Sequence, residues 1–131
     1  MSRIRVPPAA VKILSADEVM GQLLNAVTIN FPPSRGSVYE DMIEAIVYQQ
    51  ISIKAARSIF DRFLAHFGGA VPGPVRLTEV PHEELRMLGL SNQKAMYIRN
   101  IAAYFAEQKL TDAQLRMMDD DAVITRLTEI K

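Results

Sequence analysis

Three features of the sequence predict an all-α fold. Apolar residues recur at three- and four-residue intervals over most of its length. Ser15, Ser37 and Thr111 each stand three residues ahead of a Glu or Gln, the spacing of a helix capping box. No segment alternates polar and apolar residues in the strand manner, and there is no Asn-Gly hairpin signal, internal repeat or low-complexity tract.

Taken in order, Ser15-Ala16-Asp17-Glu18 opens a first helix. Val19, Met20, Leu23, Leu24 and Val27 mark it to about Asn30, and Phe31-Pro32-Pro33 ends it. Residues 1–14 read as an N-terminal extension. Ser37 with Glu40 starts a second helix, apolar along Met42, Ile43, Ile46 and Val47 and closing on the polar pair Gln49-Gln50. Ser52 caps a third, whose stripe of Ala55, Ala56, Ile59, Phe60, Phe63 and Phe67 stops at Gly68-Gly69. Its outer face carries Lys54, Arg57 and Arg62. Pro72, Gly73 and Pro74 are too many breakers for a regular element, so Ala70 to Val75 reads as a loop within the domain.

Pro81 suits the first turn of a short helix that points Leu85 and Leu88 inward and closes at Gly89. Ser91 then starts a long helix with Ala95, Ile98, Ile101, Ala102 and Phe105 in phase, and Lys109 near its end. Thr111 with Gln114 opens a short turn. A last helix from about Asp121 directs Ile124, Leu127 and Ile130 inward.

At 131 residues and 49% apolar content, the expectation is one domain over residues 1–131 with a single modest core. There is no cysteine, no apolar run near the ~18 residues of a membrane span, and no signal-peptide h-region after the basic start. A soluble, cytoplasmic protein is expected. Fifteen basic residues cancel fifteen acidic ones, so global charge does not advertise nucleic acid. Locally, Arg86, Lys94, Arg99 and Lys109 leave room for a basic face.

The chemistry available is narrow. Cysteine nucleophiles are excluded, and His66 and His82 are the only imidazoles. His82-Glu83-Glu84 lacks a second histidine four residues on, where Arg86 stands, and reads as solvated helix surface. Asp119-Asp120-Asp121 reads as a helix cap complementing the helix dipole. Neither GxGxxG nor a Walker loop is present, so no nucleotide, metal or other cofactor is expected. The methionines Met20, Met42, Met87, Met96, Met117 and Met118 fall at or beside apolar helical positions and are assigned to core filling.

Two stretches carry a family likeness. The first is the apolar helix from Tyr39 running into Gln49-Gln50-Ile51-Ser52-Ile53-Lys54-Ala55-Ala56. The second is Leu88-Gly89-Leu90-Ser91-Asn92-Gln93-Lys94-Ala95-Met96-Tyr97-Ile98. In sequence, order and separation they resemble helix-hairpin-helix (HhH-GPD) DNA glycosylases of the 3-methyladenine type. The likeness runs from about Ser15 to Lys131. Family members continue with a glycine-rich hairpin, a tryptophan-containing helix and the catalytic aspartate, so the chain corresponds to the N-terminal part of that helical fold without its hairpin.

The resemblance implies base-excision DNA repair, with hydrolysis of the N-glycosidic bond of alkylated purines and double-stranded DNA containing a damaged base as partner. Such enzymes flip the target nucleotide out of the duplex and fill the gap. Gln50 and Asn92 match the gap-filling positions, against the plainer readings of a helix-end polar residue and a cap residue. Ser91 is expected to cap the long helix, and Lys94 either to reach a phosphate or to cover that helix's first turn. Tyr39, Tyr48 and Tyr97 are assigned to packing rather than base stacking. No catalytic residue is assigned, since none of Asp119, Asp120 and Asp121 holds the family's aspartate position. The chain alone is therefore expected to be inactive and to bind DNA weakly, with association through an exposed apolar face. The alternative is a non-catalytic helical module that binds DNA or another protein.

Overall fold

The computed structural model describes residues 2–3 and 5–131. The chain divides into two compact units, Met1–Ser34 and Arg35–Lys131.

In the first unit, helices α1 (Pro8–Leu14) and α2 (Glu18–Ala26) lie between strands β1 (Ser2–Arg3) and β2 (Asn30–Phe31). The strands pair antiparallel, Ser2 with Phe31 and Arg3 with Asn30. A two-residue ladder is too short to write an alternation into the sequence. Of the expected extension over residues 1–14, Met1 and Ile4 lie outside the described residues, while Pro8 starts a helix. Ser15 is not the cap of the next one. It ends α1 in the right-handed helical region, and an N-cap needs extended backbone. Asp17 is extended and takes the role, its Oδ1 accepting from the Met20 N–H at 2.9 Å. The helix also stops at Ala26, short of Asn30, because β-branched Val27, Thr28 and Ile29 favour extended backbone. Neither α1 nor α2 contains a buried residue.

The second unit comprises α3 (Val38–Tyr48), α4 (Ile53–His66), α5 (Pro74–Glu79), α6 (His82–Met87), α7 (Asn92–Gln108), α8 (Asp112–Arg116) and α9 (Asp120–Leu127). Caps set the starts. The side chains of Ser37, Ser52, Ser91, Thr111 and Asp119 each accept a backbone N–H from three residues on, and Thr111 with Gln114 closes a full capping box. The Pro72-Gly73-Pro74 stretch, expected as loop, contains the beginning of α5. Pro74 sits at its first position, where a missing N–H costs nothing and a fixed φ already suits the helix.

Helix α7 is the centre of the core. Its Ala95, Ile98, Ile101, Ala102 and Phe105 are buried and pack with residues of α3, α4 and α5, among them Ile43, Val47, Phe60, Phe63 and Leu77. Phe63 stacks on Phe60 (centroids 6.0 Å apart, planes 9° from parallel) and meets Phe67 edge-on at 4.9 Å. Tyr39 is buried against Phe105, its hydroxyl donating to the Pro72 carbonyl at 2.9 Å; burial pushes the phenol above its usual pKa.

Three packing expectations fail. Ile124 is 60% exposed, because α9 turns Val123 and Leu127 inward, with Ile130 following beyond its end, and Ile124 lies about 100° round the helix from Val123. The six methionines do not fill the core. Met87 and Met117 are 83% and 88% exposed, Met20 and Met96 are also exposed, and only Met42 and Met118 pack partly against it. Ala55 is likewise on the surface of α4.

The first amide of α3 is satisfied from far along the chain. The Val38 N–H donates to both carboxylate oxygens of Asp112, at 3.1 and 3.3 Å. A negative charge at a helix N-terminus and a filled orphan donor both stabilise α3. Asp112→Ala is expected to lower unfolding free energy by about 1–2 kcal/mol in urea titrations.

Candidate nucleic-acid interface

Helix α3 ends at Tyr48, Gln49 turns to extended backbone, and Gln50 adopts φ 56°, the left-handed region. Ile51 follows, and Ser52 caps α4, its Oγ accepting the Ala55 N–H at 3.2 Å. A non-glycine residue in that region costs roughly 1–2 kcal/mol, so the turn needs outside support. Gln50 itself is exposed.

The facing segment joins α6 to α7. Gly89 has φ 103°, and the Leu88 carbonyl before it accepts from Arg62 Nη1 of α4 at 3.0 Å. Leu90 is buried, and Ser91 caps α7 by accepting the Lys94 N–H at 3.1 Å. Between the two segments lies a cleft of about 420 Å³, lined by Gln49, Gln50 and Ile51 on one side and by Gly89, Leu90, Ser91, Gln93, Lys94 and Tyr97 on the other. Val47 and Ile59 complete the lining.

Three of the residues singled out from the sequence, Gln50, Ser91 and Lys94, are thus brought together, although Gln50 and Ser91 are far apart in sequence. Ser91 is the expected cap. The Lys94 ammonium is spent on backbone: Nζ donates to the carbonyls of Val47 at 2.8 Å and Gln49 at 2.7 Å. Burial pushes its pKa below the usual lysine value.

Asn92 does not line the cleft. It is exposed at the first position of α7, and its Oδ1 lies 2.5 Å from His82 Nε2. The contact ties the start of α7 to the start of α6 through two polar side chains. Sequence reasoning put His82 on a solvated surface and missed this contact.

Of the four basic residues singled out from the sequence, Lys94 and Arg99 line different hollows. Lys94 belongs to the cleft, while Arg99 lines a separate hollow of about 290 Å³ with Thr78, His82, Met96 and Asn100. Asp119 is occupied as the cap of α9, accepting the Ala122 N–H at 2.8 Å. Tyr39 packs in the core and Tyr48 meets Phe60 edge-on, but Tyr97 lines the cleft, its hydroxyl accepting from Gln93 Nε2 at 2.6 Å. Gln93 and Tyr97 were not read as site residues; their four-residue spacing on one side of α7 is the signal that could have found them. Among the described residues no cluster of His, Asp and Glu could hold a metal ion, and no helix is long and apolar enough to cross a membrane.

Chemically, the cleft offers amide groups, a hydroxyl and a phenol around an apolar floor. That set suits a neutral polar surface with flat rings better than a free anion, since the one cation present is already bonded.

Comparison with known proteins agrees in extent and kind. Residues 43–130 match the family model described as HhH-GPD superfamily base excision DNA repair protein. DNA-3-methyladenine glycosylase 1 of Schizosaccharomyces pombe is 30% identical over 129 residues, covering 94% of this chain and 56% of that protein. The crystal structure of a DNA-3-methyladenine glycosidase from Bacillus halodurans overlays with a TM-score of 0.78 at 30% identity, over 100% of this chain and 61% of that one. The Schizosaccharomyces pombe 3-methyladenine DNA glycosylase in complex with abasic DNA gives a TM-score of 0.76 at 31% identity, over 94% of this chain and 63% of that one. The chain therefore spans 56% to 63% of the length of these relatives. With more than half of its residues matched by the family model, the chain belongs to the HhH-GPD superfamily of base-excision DNA repair proteins.

Proposed function

We propose that residues 1–131 are the lesion-gripping part of a DNA glycosylase that removes alkylated purines such as 3-methyladenine, and that they hold duplex DNA at a flipped-out or missing base. The observation that carries this reading is Gln50, exposed in a left-handed turn at the rim of a cleft shared with Ser91 and Lys94. A long amide set at the tip of a turn fits the gap that an extruded nucleotide leaves, and the exposed Asn92 is a second candidate contact. The relatives named as 3-methyladenine glycosylases, one of them in complex with abasic DNA, support the same lesion class.

Glycosidic cleavage develops positive charge on the sugar and needs a carboxylate beside it. None is assigned here, so this polypeptide is expected to bind without releasing base. The test is fluorescence anisotropy with two duplexes, one undamaged and one carrying a tetrahydrofuran abasic analogue. Residues 1–131 should prefer the analogue, and Gln50→Ala should reduce that preference about fivefold, the worth of roughly one hydrogen bond. Equal affinity for both duplexes would overturn the gripping role, and release of 3-methyladenine from alkylated DNA would overturn the inactivity.

A second reading, a helical interaction module, draws on one observation: Ile13, Val19, Leu23, Val27 and Ile29 of the first unit are 46% to 74% exposed. Apolar surface of that extent fits association with another polypeptide. Self-association in sedimentation together with no DNA binding would favour it.

A further inference from the structure

We propose that Lys94 is the positioning residue for Gln50: it ties the α3–α4 turn to the first turn of α7 and so sets the conformation in which Gln50 is presented. This rests on the reading of Gln50 as the group that enters the DNA.

The argument is geometric. The Gln49 carbonyl and the Gln50 nitrogen belong to one planar peptide unit, so a bond that fixes that oxygen fixes the plane from which Gln50 departs. Lys94 Nζ makes that bond at 2.7 Å and takes the Val47 carbonyl, one of the unpaired acceptors of the α3 C-terminus, at 2.8 Å. A cation at the negative end of the α3 dipole adds attraction. The anchor is itself held, because the Lys94 N–H is bonded to the Ser91 hydroxyl that caps α7. Ser91, Lys94 and Gln49 therefore link the α7 terminus to the turn from which Gln50 departs. Two of the three ammonium donors are consumed in it, which leaves little for a phosphate.

The two roles give opposite salt behaviour. Lys94→Met keeps an unbranched chain and removes the ammonium. As a positioning residue acting through Gln50, its loss should cut the preference for abasic over undamaged duplex by up to about fivefold, no more than Gln50→Ala itself loses. Affinity for undamaged duplex and the slope of log affinity against log salt should stay unchanged. A phosphate ligand would instead weaken both duplexes alike and flatten that slope by about 0.9. In Gln50→Ala, adding Lys94→Met should cause no further loss; a further loss as large as in the wild type overturns the proposal.

A readout without DNA separates this from the function itself. In Lys94→Met, the NMR Cα and Cβ shifts of Gln50 should leave left-handed values while those of Ile98 and Ala102 stay native. Unchanged Gln50 shifts overturn the positioning role. If Gln50→Ala leaves lesion preference intact, the reading of Gln50 fails, and the shifts still decide what Lys94 does.

Discussion

Phe63→Ala is expected to lower the unfolding free energy by about 3–5 kcal/mol, a large part of the ~5–15 kcal/mol available to a domain of this size. Phe63 has 0% exposure and stands between two rings, stacked on Phe60 and edge-on to Phe67. Removing it takes away the transfer free energy of the ring, both aromatic contacts, and the support of the α4 face that packs on the rest of the core. The neighbours are bulky rings, one in α4 and one at its C-terminal cap, both packed in the core, so the cavity cannot collapse far. Urea unfolding followed by far-UV circular dichroism measures the loss. Phe63→Leu, which fills most of the space, should cost less than half as much. An alanine variant within about 1 kcal/mol of the parent would mean that the α4 stack is not part of the cooperative core.

Gly89→Ala should cost about 2–4 kcal/mol, and it should do so at the cleft. At φ 103° any side chain is strained, by roughly 1–3 kcal/mol. The added Cβ would also stand 3.0 Å from Arg62 Nη1 and 3.3 Å from Ile59 Cγ1. Arg62 is long enough to move, but it is bonded to the Leu88 carbonyl, and displacing it forfeits about 1 kcal/mol more. The strain falls two residues before the Ser91 cap, so lesion preference should fall together with stability. Thermal unfolding and anisotropy on the same sample check both. A stability loss with unchanged DNA preference would show that the α6–α7 segment is not a wall of the site.

How much of this was legible in the sequence depends on how local each determinant is. The caps Ser37, Ser52, Ser91 and Thr111 were readable because a side chain accepting an amide three residues on is a short-range pattern. The buried stripe of α7 was readable for the same reason, one helix face having one period. Competition between adjacent signals was not readable. Ser15 and Asp17 both suit a cap, and only the preceding helix, which consumes Ser15, decides between them. Pro74 reads as a breaker within Pro72-Gly73-Pro74 and acts as a starter. In the site, Gln50 was picked out through the family likeness and Ser91 as a local cap. What joins them is Lys94 reaching carbonyls 45 and 47 positions earlier, and carbonyls carry no residue identity that a sequence could display. The pairing of His82 with Asn92 was hidden likewise, since neither residue type predicts the other.

The bond between Asp112 and Val38 spans 74 positions, and it bears on when α3 becomes complete during synthesis. At roughly 5–20 residues per second, a ribosome adds Asp112 about 4–15 s after Val38. Over that interval the nascent chain carries the Gln50 turn on a helix whose first amide has only water to bond. Loop closure over such a distance gives little return until α7 has arrived to fill the space between, so the α3 terminus should be among the last parts to gain its native protection. The turn that presents Gln50 is then finished by residues made well after it, and a nascent chain halted before Asp112 would expose an incomplete grip.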